Sequence, residues 1–181
     1  MQNTTLKQKA TLYNINPRIE IHGEDGNVKA ADLNFKFEAD GEFLDRLAGE
    51  NELPEDGHGW ENFMFHEDGS IRVLCVKGLD FDRDYENHTV DLSHGKETVA
   101  VLAGAKVCKF SAKPIHGKHF EIRMQVQCNP SPAQMAKIYD ALGDELKVAV
   151  TPPPQRDMID EVAEKRTAKG KAGKGEKPTA S

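Results

Sequence analysis

The stretch "AADLNFKFEAD", residues 30–40, alternates without a fault. Ala31, Leu33, Phe35 and Phe37 fall on one side of an extended chain, and Asp32, Asn34, Lys36 and Glu38 fall on the other. A helix, with its repeat of about 3.6 residues, would scatter these apolar side chains around its axis; a period of two collects them. The segment reads as a strand with one buried and one wet face. "HFEIRMQVQC", residues 119–128, has the same form: Phe120, Ile122, Met124, Val126 and Cys128 alternate with Glu121, Arg123, Gln125 and Gln127.

Working outward, "KATLYNI" (9–15), "IRVLCV" (71–76), "VAVLAG" (99–104), "AKVCKFSAK" (105–113) and "LKVAV" (146–150) read as further strands, and "KPIHGKH" between two of them as a hairpin turn. "DGEFLDRLAG" (40–49) predicts a short helix with Phe43, Leu44 and Leu47 inward. "NPSPAQMAKIYDALGDE" (129–145) predicts a second, with Ser131 as cap, Pro132 in the first turn and Gln134 completing a capping box. Its stripe of Met135, Ile138, Tyr139 and Leu142 is expected to face the core, and Gly143 to stop it. The fold class is therefore mainly β (α+β): an antiparallel sandwich or barrel of about seven strands with two short helices.

Residues 1–151 are expected to form a single β-rich domain, and 152–181 a linker, a short helix and a disordered basic tail. "TAKGKAGKGEKPTAS" holds no apolar residue larger than alanine, so it cannot bury surface. Residues 49–69 read as a long acidic loop whose Trp60, Phe63 and Phe65 anchor it to the body or, failing that, form a contact patch. No apolar run approaches the length of a membrane span, and the N-terminus lacks the pattern of a signal peptide. Three well-separated cysteines, Cys75, Cys108 and Cys128, point to reduced thiols and a cytoplasmic setting.

"LDFDRDYENHTVD", residues 79–91, poses the question of a metal. A calcium loop counted from Asp80 needs glycine at its sixth position, where Tyr85 stands, so Asp80, Asp82 and Asp84 read as the wet side of a strand. Cys108, His116, His119 and Cys128 lack the close spacing of a zinc site; the thiols are expected inward and the histidines on the turn. "GKAGKGEK" (170–177) is not a phosphate loop, and there is no G-x-S-x-G or H-E-x-x-H. No cofactor, metal or catalytic residue is expected.

Charge is the remaining signal. The net charge is −6, yet residues 20–91 hold 20 acidic and 6 basic side chains, while 162–181 hold 6 basic and 2 acidic. Lys165, Arg166, Lys169, Lys171, Lys174 and Lys177 make a cationic tether suited to phosphates, with sequence-blind, salt-dependent affinity.

"KATLYNINPRIEIHGEDGNVKAADLNFKFEA", with its N-P-R-x-E-x-H-G and A-D-L-x-F-x-F patterns, resembles the opening of a group of small bacteriophage accessory proteins. "GLDFDRDYENHTVDLSHG" and "AKVCKFSAKPIHGKHFEIRMQVQ" extend the likeness over roughly residues 7–150; it departs most in 49–69. The resemblance implies a phage-encoded protein made in the cytoplasm of a bacterial host, of the kind that travels with replication and recombination or with anti-defence functions. It carries over no functional residue.

Two functions follow as expectations. The first is a non-enzymatic accessory of DNA metabolism, associating with single-stranded DNA or with a protein that acts on it, with the tail lysines on phosphates and Tyr13, Trp60 or Phe63 stacking on bases. The second is an acidic-surface inhibitor, a nucleic-acid mimic that occupies the basic groove of a host or defence enzyme through Asp80, Asp82, Asp84 and Trp60. Carboxylates two residues apart on a strand lie about 6.6 Å from one another. Open strand edges would also allow a symmetric homodimer.

Overall fold

The computed structural model describes residues 6–21, 27–49 and 59–154. Seven antiparallel strands run in chain order as β1 (Leu6–Ile21), β2 (Asn27–Ala39), β3 (Leu79–Phe81), β4 (Tyr85–His94), β5 (Glu97–Ile115), β6 (His119–Cys128) and β7 (Glu145–Thr151), with helices α1 (Gly41–Ala48), α2 (Gly59–Met64) and α3 (Pro132–Asp140) between them. Sheet order is β3-β5-β4-β7-β1-β2-β6, and β5 also pairs with β6. That extra pairing joins the ends: six strands form a closed ring, with β3 added beside the second half of β5. The barrel, of the two architectures expected, is the one adopted.

Alternation builds the core. Leu33, Phe35, Ile122, Met124 and Val126 all point inward and are almost wholly buried, joined by Leu12, Val90, Leu92, Val107, Leu146 and Val148 from the other strands. Closure also removes most of the open edges on which a symmetric dimer would form.

The two strands expected at 99–104 and 105–113 are one. β5 spends its first half on β4 and its second on β6. The bend falls at Gly104, whose φ of +67° suits glycine. A side chain there would meet open space, so Gly104→Val is expected to cost about 1–2 kcal/mol through backbone strain alone, read as a lower urea midpoint with an unchanged slope.

Three further expectations are corrected. Residues 71–76 are not a strand: Ile71, Val73 and Val76 pack on the core while Leu74, at 83% exposed, turns outward. The contacts fall at 71, 73 and 76, which breaks the period of two; a bridge from Ile71 to Phe65 is all the pairing formed. The segment 79–91 is two strands, interrupted at 82–84, where the Arg83 guanidinium donates to the Ala48 carbonyl at the end of α1. The loop at 49–69 contains α2, whose Trp60 backbone N–H donates to Asp45 Oδ1 at 2.9 Å.

The helices are capped largely as their sequences specify. Asp40 accepts from the Phe43 N–H, and Ser131 and Gln134 form both arms of the capping box. In α3, however, the stripe is only half used: Ile138 is buried, whereas Tyr139 and Leu142 are largely exposed. Among the described residues no helix is long and apolar enough to cross a membrane. The linker and basic tail expected beyond residue 154 lie outside the described residues.

Candidate nucleic-acid interface

The outward residues of the strands meet in register. Thr11, Lys36, Arg123 and Ser111 stand side by side across β1, β2, β6 and β5. β1 pairs with β2 only from Thr11 onward; its first residues pair with β7 instead, while Phe37–Ala39 of β2 stay with β6. The barrel wall therefore opens between Leu6–Ala10 and Phe37–Ala39, leaving a groove of about 740 Å³ lined by Lys7, Lys9, Lys36 and Lys147 together with Glu38, Glu121 and Glu145.

Cations are crowded here. Lys9 and Lys147 are direct partners across β1 and β7, an arrangement of like charges that costs stability. Lys9 Nζ lies 3.3 Å from Glu145 Oε1, but both side chains are more than half exposed, so water screens most of the attraction. Among the described residues Lys7, Lys36 and Lys147 make no ion pair. An anion between them would relieve their repulsion.

A second groove, of about 550 Å³, adjoins the first at Glu121 and continues over Arg123, Ser111 and Lys113 to Lys77 in the loop before β3. Seven cations thus line one path across β7, β1, β2, β6 and β5: Lys147, Lys7, Lys9, Lys36, Arg123, Lys113 and Lys77. Four carboxylates, those of Glu38, Glu121, Glu145 and Asp80, accompany them. Five strands at a spacing of about 4.8 Å make the path about 19 Å wide. Beside it, a register shift between Leu12 and Asn14 leaves Tyr13 as an extra residue, 41% exposed, with the Arg123 guanidinium carbon 5.9 Å from its ring centre.

The residues singled out from sequence are distributed otherwise. Asp80 is exposed on β3 opposite Ser111; Asp82 and Asp84 lie off the strand, and Asp84 accepts from Lys106 Nζ at 2.5 Å. The even strand spacing across the three carboxylates is lost at Arg83. Trp60 is half-buried, its ring edge-on to Phe81 at 6.2 Å and to Phe63 at 6.0 Å, so it ties α2 to the barrel, as Phe65 does against Phe120. Phe63 is partly exposed. Lys165, Arg166, Lys169, Lys171, Lys174 and Lys177 lie outside the described residues.

Of the two thiols expected inward, Cys128 is in the core, donating to the Ala31 carbonyl at 3.6 Å, and burial raises its pKa to about 12. Cys108 is on the opposite side of the sheet, beside Gln125, because β5 bulges between Cys108 and Ser111 and shifts phase there. It too is buried, which raises its pKa. His116 and His119 are exposed at the hairpin. Among the described residues no three His, Cys, Asp or Glu gather as a metal site.

Native protein is expected to label quickly with a thiol reagent at exposed Cys75 alone. Because the folded chain keeps the Cys128 proton that the unfolded chain releases above about pH 9, stability should fall as pH rises from there toward 12. Urea midpoints between pH 8 and 11 measure this, and Cys128→Ser should flatten the profile.

The lysines of the path escaped the sequence reading because they sit in acidic or mixed neighbourhoods along the chain; their signal was the outward alternation of β1, β2, β6 and β7. No known protein family, curated protein or solved structure matches this chain, so its function is read from the geometry of this face.

Proposed function

We propose that this chain is a non-enzymatic accessory of DNA metabolism that associates with single-stranded DNA through the outer face of its barrel. The observation that carries this reading is the convergence of seven cations, from elements far apart in sequence, on two adjoining grooves of an otherwise acidic protein. A basic groove with an aromatic at its side holds a single strand by combining phosphate contacts with stacking. Phosphates would compete with Glu145 for Lys9, an exposed and weak pair whose exchange costs little; Arg123 stays held by Glu121 through two donors. The tail cations add reach and salt-dependent affinity. The likeness to phage accessory proteins supplies the setting, a bacterial cell in which viral DNA is copied.

The second reading, a nucleic-acid mimic presenting an acidic surface, would draw less from Asp80, Asp82 and Asp84 than a continuous strand offers, because β3 ends at Phe81 and β4 begins at Tyr85. An anisotropy titration of a labelled single-stranded oligonucleotide, with the full chain and with a chain ending at Pro154, tests the proposal. Binding by both proteins at low salt, weaker for the shorter one, is the expected result. No binding by the full chain at about 20 mM salt, where counterion release is at its most favourable, would end it.

A further inference from the structure

We infer that Tyr13 is a base-stacking platform, so that the groove takes a strand with accessible bases and not merely a polyanion. This rests on reading the groove as a nucleic-acid interface and adds what the site recognises there. Three observations converge on it.

The first is local. The shift between Leu12 and Asn14 inserts one residue into β1, and that residue is a tyrosine held 41% exposed on a barrel whose strand phenylalanines are buried. Leu12 faces the core, so alternation already turns Tyr13 outward; the bulge lets Asn14 stay outward beside it and returns Ile15 to the core.

The second is electrostatic. Arg123 lies over the ring at 5.9 Å while its Nε and Nη2 donate to Glu121 at 3.0 and 2.8 Å. The carboxylate and the ring together set the position of the guanidinium, and the ring is braced by it. Arg123 is also the register partner of Lys36, at the junction of the two grooves. Through Arg123, which lines the second groove, Tyr13 stands beside the path that phosphates on the lysines would follow.

The third is the chemistry alongside. The next outward row away from the lysines is Asn14, Asn34 and Gln125, and the one after it is Asn16, Asp32 and Gln127, with Asp32 paired to Arg18. Gln127 Nε2 donates to Gln125 Oε1 at 3.1 Å, and Gln125 Nε2 to Asn34 Oδ1 at 3.2 Å; the chain of donors stops at Asn34, whose Nδ2 is buried without a partner. Asn14 and Asn16, paired with Asn34 and Asp32 of β2, are exposed. The exposed amides of Asn14 and Asn16 match base edges, which both donate and accept, better than they match phosphate, which only accepts; Gln125 and the Asn34 amide nitrogen are buried.

The test compares three ligands of equal length with wild-type, Tyr13→Ala and Tyr13→Trp protein: a single-stranded oligonucleotide, an abasic sugar–phosphate strand, and a duplex. Tyr13→Ala is expected to weaken the single-stranded oligonucleotide by about tenfold or more and to leave the other two unchanged, while Tyr13→Trp keeps or improves the wild-type affinity. Equal losses on the abasic and base-bearing strands, or no loss on either, overturns the inference while leaving the interface in place. If wild-type protein binds none of the three, the interface itself is wrong and this inference goes with it. Circular dichroism of Tyr13→Ala, an exposed position, separates lost stacking from lost fold.

Discussion

Replacing Lys9, Lys36 and Lys147 together by glutamine is expected to lower the affinity for single-stranded DNA by roughly several hundred-fold at about 50 mM salt. Each phosphate contact on a single strand contributes about 0.7 to the slope of log K against log salt concentration, so three lost contacts flatten the slope by about 2. At that salt each contact is worth close to one decade, and the losses multiply. The fold should tolerate the change: all three side chains are exposed, and neutralising Lys9 and Lys147 removes a like-charge pair. Melting temperature is the control. A triple variant with unchanged affinity and slope would move the interface elsewhere on the molecule, and the chain ending at Pro154 would then show whether the tail alone binds.

Phe35→Ala carries the largest expected effect on stability. Phe35 is fully buried, with Leu12 beside it on β1 and Met124 beside it on β6. Removing a buried ring from a closed barrel leaves a cavity that the surrounding strands, hydrogen-bonded on both sides, fill only in part. The cost is about 3–5 kcal/mol, which lowers the melting temperature of a domain this size by about 10 °C. Phe63→Ala, a ring of the same chemistry left partly exposed on α2, should cost under about 1 kcal/mol, since little is removed from contact. Calorimetry of the two variants decides it: equal destabilisation would mean that the barrel interior is not the core.

Much of the barrel could be read along the chain. Residues 30–40 and 119–128 have the faces their alternation specifies, and the two strands prove to be neighbours, Leu33 opposite Val126 and Phe35 opposite Met124. The α3 cap was equally legible, because Ser131, Pro132 and Gln134 act within one turn of each other. Misreadings arose where a local pattern met a distant partner. Residues 82–84 leave the strand because Arg83 reaches α1, 35 positions away. Cys108 changes side because its strand bulges while crossing from one neighbour to another. Trp60 draws residues 59–64 into a helix by packing against Phe81.

The sequence by itself determined which side chains of β2 and β6 face in and which face out, since in an unbroken strand that follows from the geometry of each residue and its next neighbours. The tertiary structure decided which outward side chains stand together. Register, closure through β5 and the parting of β1 from β2 depend on hydrogen bonds between segments far apart in the chain. Those bonds bring Lys9 beside Lys147 and Lys36 beside Arg123, and no reading of one strand at a time contains them.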